Sequence, residues 1–390
     1  MSIPDLFRCP ISLDLFTDPV TLSTGQTYDR PGIEKWLAGG NLTCPVTMQR
    51  LHDTSLVPNH TLKHLIDQWL LTGCDLNPNP KPTKLIDGFE LSTLKQNFQS
   101  PDATLPAKLE TLRKIRSLLV ESDISCLIHS GFFQLLLELL FQTPYHGNVE
   151  LIELALECIL NLSPSIHVDS LNMLKKESYF ASLVLLLEQG STKIKTSLCY
   201  LLEDIATSLA TCELCLFLGQ TQRVLQALVA LLHDKTDSSA SEAALRAISS
   251  ICSLEANRGN AIKEGAIDGL IMYLLNSTQQ NVSQALATLE LLLGLETGKK
   301  AMSKNSNAVS LLVKMVFRVS SVQEGSEHAI ESLMILCSDS RQMRVEAINS
   351  GVLTQLLLLL QSQSSPKAKD KARAFLKLLR AMWNEDQRWL

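Results

Sequence analysis

The chain has 390 residues, of which 45% are apolar and 19% charged, with a net charge of −5. That is enough apolar text to bury a sizeable core, which excludes a disordered chain, and the mild acidity argues against a dedicated nucleic-acid binder. Of 14 prolines, 11 lie in residues 1–106, leaving Pro144, Pro164 and Pro366 for the rest, so two kinds of structure share the chain. The start, Met1-Ser2-Ile3-Pro4-Asp5, has no basic n-region, no apolar h-region and no glycine for myristoylation. No stretch approaches the roughly 20 apolar residues of a membrane-spanning helix. The ten cysteines sit mostly in apolar helical text, as Cys158 does in Leu156-Glu157-Cys158-Ile159-Leu160. They read as small buried hydrophobes of an intracellular protein without disulfides.

In chain order, Val20-Thr21-Leu22 and Gln26-Thr27-Tyr28 flank Ser23-Thr24-Gly25 and predict a β-hairpin. Asp29 is placed to N-cap a helix with Pro31 in its first turn. Ile33, Trp36 and Leu37 form the apolar stripe of that helix, and Gly39-Gly40 ends it. After a loop holding Cys44-Pro45, Asn59 is placed to cap a second helix, with Leu62, Leu65, Ile66, Trp69 and Leu70 at helical spacing and Gly73 as its stop. Asn77-Pro78-Asn79-Pro80-Lys81-Pro82 predicts a stiff, extended spacer and a domain boundary. The expected organisation is a compact domain over 1–76, a linker and lead-in over 77–104, and a helical array over 105–390.

From about 105 onward the text repeats. Gly131, Ser178, Gln222, Gly265, Ser306 and Gly351 each precede an apolar run, at spacings of 47, 44, 43, 41 and 45. Each run is followed by a second amphipathic segment, over 151–163, 194–206, 241–252, 282–293, 326–337 and 367–383. A helical repeat of about 40–47 residues is the armadillo/HEAT period, and it stacks units around one continuous core. Glycine before the longer helix favours the armadillo form. About six repeats follow a partial first one over 105–130. Trp383 and Trp389 read as a cap on the last helix.

Zinc ligation is a poor reading of the N-terminal part. Cys9, Cys44, Cys74, His52, His60 and His64 lack the close pairs of a structural zinc site, and His60 and His64 read as a solvated helix face. Cys212-Glu213-Leu214-Cys215 is a lone pair inside a repeat and reads as core packing. No P-loop, HExxH or strand-linked dinucleotide fingerprint is present.

The order of motifs is more specific. Cys9-Pro10-Ile11-Ser12, Asp18-Pro19-Val20-Thr21, Gly25-Gln26-Thr27-Tyr28-Asp29-Arg30 and Ile33-Glu34-Lys35-Trp36-Leu37 are followed by Cys44-Pro45-Val46-Thr47, Leu56-Val57-Pro58-Asn59 and Leu62-Lys63-His64-Leu65-Ile66. Over about 70 residues this resembles the U-box, a zinc-free relative of the RING. With the repeats behind it, the chain resembles the plant U-box/armadillo ubiquitin ligases. The resemblance implies a mainly α protein in which a small α+β U-box precedes an armadillo α-solenoid.

The resemblance also implies the chemistry. Tyr28, Asp29, Arg30 and Asn59 would form the polar network that stands in for zinc. Ile11, Leu13, Trp36 and Pro45 would anchor a ubiquitin-conjugating enzyme charged with ubiquitin. Transfer would proceed by proximity, with no catalytic nucleophile, metal or cofactor on the ligase. Met48 stands where many relatives carry an arginine that positions ubiquitin, so either Gln49 or Arg50 substitutes for it or ubiquitin is held less firmly. The repeats would hold a protein substrate, with no nucleic acid, and self-association is compatible with this reading. Cargo-binding armadillo arrays use an asparagine ladder. Here Asn161 and Asp204 are the groove candidates, and the matching places hold Ser250, Leu292 or Leu293, and Ile335, so no ladder is expected. The family further implies plant stress, immune or hormone signalling, in the cytoplasm, the nucleus or at a membrane through partners. The competing reading is a non-enzymatic scaffold with a degenerate U-box. A zinc-dependent RING-like ligase is a third.

Overall fold

A computed structural model describes residues 7–51, 53–59, 61–63, 66, 88–100, 104–121, 127–128, 130–162, 168–234, 237–276, 281–319 and 325–386. His52, His60, His64, Leu65, Trp69, Leu70, Gly73, Cys74, the 77–82 spacer, Cys126 and Trp389 lie outside them, as does the side chain of Trp383. The chain divides into two units, 1–82 and 83–390.

In the first unit, β1 (Pro19–Thr21) pairs antiparallel with β2 (Thr27–Asp29) and with β3 (Val57–Pro58), giving the order β2-β1-β3. The register sets Val20 opposite Tyr28 on one side and Pro58 on the other. Gly25, at φ +80°, supplies the left-handed residue that closes the hairpin. Helix α1 (Arg30–Ala38) follows β2 without a break, carries Pro31 in its first turn and stops at Gly39-Gly40. Cys9, Phe16, Val20, Leu22, Tyr28, Ile33, Cys44, Leu51 and Ile66 form the small core. Trp36 and Leu37 lie half-buried against it.

Among its described residues the second unit forms helices joined by short turns, and no strand. Its first described element is α2 (Gly88–Gln99), in the stretch read as linker and lead-in: Leu91 and Leu94 enter the common core and Phe98 packs against it, a helical spacing that the nearby prolines disguised. There follow α3 (Leu105–Glu121), α4 (Phe132–Gln142), α5 (Val149–Leu162), a 3-10 helix (Val168–Lys175), α6 (Glu177–Gln189) and α7 (Thr192–Thr207). Three-helix units then recur: α8 (Cys212–Gln220), α9 (Gln222–His233) and α10 (Ser238–Ser253); then α11 (Glu255–Lys263), α12 (Ala266–Asn276) and α13 (Val282–Leu293). The last two are α14 (Glu296–Lys304), α15 (Ala308–Arg318) and α16 (Gly325–Asp339), then α17 (Arg341–Asn349), α18 (Val352–Gln361) and α19 (Pro366–Asp386). This is the armadillo plan of a short first helix and two longer ones. Gly131, Gly265 and Gly351 all have φ between 74° and 91°, so the glycine phrase marks the turn into the second helix.

The short helices are pinned by polar side chains. Arg258 Nε donates to the Cys252 carbonyl (2.9 Å) and an Arg344 terminal nitrogen to the Cys337 carbonyl (2.7 Å), so matching arginines close the ends of α10 and α16. Asn257, fully buried, donates to the Cys215 and Ile251 carbonyls and lies against Gly219. The Cys212/Cys215 pair is divided: Cys215 packs in the core as expected, whereas Cys212 is exposed because the start of α8 turns it outward. Burial pushes the thiols of Cys158, Cys199, Cys252 and Cys337 up to about 12, which suits inert core residues.

Two glycines test this packing in opposite senses. A Cβ on Gly298 would lie 2.1 Å from the Leu292 carbonyl oxygen, whereas one on Gly259, inside α11, would meet nothing within 4 Å. We expect Gly298→Ala to destabilise the array by about 1–3 kcal/mol and Gly259→Ala to stabilise it by roughly 0.5–1 kcal/mol. Thermal denaturation should therefore move the midpoint down for the first and up for the second.

Candidate functional site

Two loops of the first unit are built to one pattern. Cys9-Pro10-Ile11-Ser12-Leu13 and Cys44-Pro45-Val46-Thr47-Met48 match residue class for residue class. Leu13 N–H donates to the Cys9 carbonyl (2.8 Å) and Met48 N–H to the Cys44 carbonyl (2.9 Å). Cys9 N–H donates to the Asp14 carbonyl and Cys44 N–H to that of Gln49. Bridges Arg8↔Leu15 and Thr43↔Arg50 close the two bases. Leu13 (φ 62°) and Met48 (φ 58°) both adopt the left-handed conformation, an uncommon state for large side chains that costs of order 1 kcal/mol each.

Both cysteine sulfurs are hydrogen-bond acceptors at the base of their loops. Cys9 Sγ accepts from the N–H groups of Ile11 (3.4 Å) and Asp29 (3.3 Å). Cys44 Sγ lies 3.4 Å from the Thr24 hydroxyl and 2.9 Å from the buried Tyr28 hydroxyl, which in turn accepts from Val46 N–H (3.2 Å). Burial opposes ionisation of Cys44, but hydrogen bonds from Thr24, Thr47 and Tyr28 outweigh it and bring the thiol down to about 6. Burial, together with the bond to Cys44, pushes the Tyr28 hydroxyl the other way, well above its ordinary value. Tyr28 therefore stays a donor.

The expected network residues take more specific roles. Asp29 occupies the N-cap position of α1, but its carboxylate makes no cap bond. It accepts instead from Thr17 N–H (2.8 Å), Thr17 Oγ1 (2.8 Å) and Asp18 N–H (2.7 Å), because the chain leaving the first loop presents three donors there. Arg30 Nε pairs with Asp18 at 2.5 Å. Asn59 accepts from Leu62 N–H (3.0 Å), a cap, and donates to Thr27 Oγ1 (3.2 Å) across the sheet.

Helix α1 lies between the loops. Ile11 sits over Gly32, where a Cβ would be 3.7 Å from it. One turn on, Trp36 Nε1 donates to the Thr43 carbonyl (2.9 Å) at the base of the second loop. Ile11 is 37% exposed, Leu13 67% and Met48 71%; Val46 is exposed and Pro45 half-buried. Ile11, Leu13 and Pro45 thus belong to two loops joined through Trp36 and Gly32 of α1, and Val46 and Met48 extend the apolar set. Gln49 and Arg50 are exposed just beyond the Met48 apex. Cys9, Cys44, Thr17, Asp18 and Val46 were not identified as site residues from sequence. The twice-used Cys-Pro-(Ile/Val)-(Ser/Thr)-(Leu/Met) phrase is the signal that marks most of them. Among the described residues, no three His, Cys, Asp or Glu side chains converge as metal ligands.

Along the third helices of the array, polar rungs join each repeat to the next. Glu153 of α5 pairs with Lys193 of α7 (3.6 Å), Glu203 of α7 with Arg246 of α10 (2.8 Å), Glu290 of α13 with His328 of α16 (2.7 Å) and Glu331 of α16 with Lys371 of α19 (2.9 Å). Between α10 and α13 the rung is neutral, with Ser249 and Thr288 hydroxyls 2.9 Å apart. Asn161 is exposed, but its amide donates to the Glu157 carbonyl of its own helix (2.8 Å), and Asp204 is half-buried. The two groove candidates do not form a ladder with each other. The recurring polar device is the glutamate rung.

The model of the U-box domain matches residues 3–73, and the model of the plant U-box protein ARM repeat region matches residues 90–388. The chain is 33% identical to U-box domain-containing protein 26 of Arabidopsis thaliana, over 99% of its own length and 94% of the relative's. It is 29% identical to the E3 ubiquitin-protein ligase PUB23 of the same plant, over 99% and 94%. An engineered protein of solved structure aligns with a TM-score of 0.57 at 20% identity, over 75% of this chain and 68% of that one, a likeness of fold.

The two loops predict a pH dependence. A Cys44 thiol held lower in the folded state than in the unfolded chain means that folding releases a proton. The stabilisation is complete above the unfolded thiol range and is lost as pH falls towards 6. We expect the melting temperature of the first unit to rise from pH 6 to pH 9, and Cys44→Ser to flatten that rise. Asp29→Ala, which removes three hydrogen bonds to a carboxylate, should destabilise the same unit by about 1–2 kcal/mol at neutral pH. The two family models and the relative at 33% identity carry one conclusion, with which the repeat array agrees: the chain belongs to the plant U-box/armadillo-repeat ubiquitin-ligase family.

Proposed function

We propose that the U-box of this chain recruits a ubiquitin-charged conjugating enzyme and promotes transfer of ubiquitin to lysines of a protein held by the armadillo repeats. The observation that carries this reading is the apolar set Ile11, Leu13, Val46 and Met48, exposed on two loops with Pro45 and braced through α1. Exposed aliphatic side chains on a hydrogen-bonded frame make a rigid anchor and lose little entropy on docking. The ligase contributes no nucleophile. Rate is gained by holding the charged enzyme and the acceptor lysine together. Trp36, half-buried on α1, adds its ring to this anchor while its indole N–H holds the second loop. The name of PUB23, a ubiquitin-protein ligase, supports the same reading. The family resemblance alone extends it to plant stress or immune signalling.

Met48 is the observation that favours a second reading, an inactive scaffold. A methionine apex carries no charge to hold ubiquitin, and the nearest cation in sequence is Arg50. The self-ubiquitination rate of the full chain with a panel of charged conjugating enzymes decides between the two. We expect activity in the wild type, a loss of at least 10-fold in Ile11→Ala and in Pro45→Ala, a smaller loss in Arg50→Ala, and a gain in Met48→Arg. An inactive wild type that Met48→Arg revives would establish the scaffold reading.

A further inference from the structure

Second helices stack along the array, α9 on α12, α12 on α15 and α15 on α18. Two positions on each form the ridge that receives the next helix. One series is Leu225, Ile267, Val309 and Leu353, and the other is Val229, Ile271, Val313 and Leu357, both at spacings of 42, 42 and 44. The Val229 side chain lies 3.8 Å and 3.5 Å from where Cβ atoms on Gly265 and Gly269 would be, at the start of the next second helix. In the first three helices all six ridge residues are buried. In α18, Leu353 is 42% and Leu357 52% exposed, and Leu358 beside them is exposed too. The repeat therefore shapes this ridge as the seat of a helix.

The neighbouring third helix ends differently. His328 of α16 and Lys371 of α19 hold matching places 43 residues apart, each taking a glutamate from the preceding repeat. The same offset sets Arg373, Lys377 and Arg380 where α16 has Ile330, Met334 and Cys337. All three cations are exposed, and Arg373 holds Asp370. The last described face of the array is thus an aliphatic ridge beside a cationic strip. Two copies meeting through this face would bring two cationic strips together, so a second copy is disfavoured.

We propose that this face seats an amphipathic helix of a partner protein, with aliphatic residues along α18 and aspartate or glutamate facing α19. Binding follows the helix-in-groove mode, with anchors spaced i and i+4 to match Leu353 and Leu357. The carboxylates set orientation and association rate more than affinity. The inference is independent of whether the U-box is active.

The test selects binders of the full chain from a phage-displayed library of helical peptides randomised on all faces, then measures the enriched peptides by fluorescence anisotropy. The expected result is enrichment of helices with aliphatic residues at i, i+4 and acidic flanks. Their affinity should fall at least 10-fold for Leu353→Gln/Leu357→Gln and for Lys377→Glu/Arg380→Glu, with far-UV circular dichroism unchanged. No enrichment, enrichment of basic helices, or affinity unaltered by both variants overturns it. So does a sedimenting dimer that dissociates in Leu353→Gln/Leu357→Gln, which would assign the face to a second copy. Binding to phosphatidylserine vesicles that both variants abolish, with no peptide enriched, would assign it to a lipid surface.

Discussion

The carboxylate of Asp29 accepts three hydrogen bonds from Thr17 and Asp18, and the first unit is organised around what its neighbours do at the same time. Strand alternation turns Tyr28 inward, where it holds Cys44 and Val46 at the second loop. Asp29 therefore points outward, to the chain leaving the first loop. The helix that begins at the next residue swings Arg30 back onto Asp18. Three consecutive side chains thus tie together both loops and the sheet. Each bond is modest, and half of the partners are backbone N–H groups, those of Thr17, Asp18 and Val46. Together they fix three separate segments against one hairpin strand.

Sulfur completes this frame. A fully buried thiol can be filled space, but Cys9 and Cys44 each gather two donors from different segments. Each therefore does for one loop, through hydrogen bonds, what a metal ligand would do. That role was illegible because residue type and spacing offered only two readings of a lone cysteine, a zinc ligand or an apolar filler. Asp29 is a similar case. Position correctly made it the N-cap residue, but its side chain found donors 11 and 12 residues away, which no local rule anticipates. The helices of the array were legible because burial imposes a 3.6-residue period and stacking imposes a 41–47-residue one. Helix α2 was hidden because prolines on both sides mimic a linker. The glutamate rungs were hidden because a search for one residue type in one column misses a pair whose members sit on adjacent helices.

Those rungs explain how a leucine-rich array keeps a defined register. Apolar ridges alone would tolerate sliding, since one aliphatic residue replaces another at little cost. A rung does not slide. Exposed pairs of this kind are each worth about 1 kcal/mol or less, so their contribution is to register more than to stability. They also consume charge. Glu203, Glu290 and Glu331 are already matched within the array, so a partner approaching the third helices meets paired groups. The unmatched features lie on α18 and α19, where Leu353 and Leu357 continue a ridge and Lys377 and Arg380 stand at core positions of the repeat.

The same logic of unmatched features applies to the loops. Leu13 and Met48 combine two unfavourable states, a left-handed backbone and a large apolar side chain in water. Asparagine or glycine would remove the first and a polar residue the second. Neither substitution would disturb the hydrogen bonds that close the loops, because those bonds use only backbone atoms. The fold therefore does not require leucine or methionine at these apices. What the closed loops do require is a left-handed residue at the fifth position, and placing a bulky one there holds its side chain outward on a backbone that cannot relax. A rigid, exposed, apolar apex on each side of α1 is costly for a free protein and advantageous for one that docks.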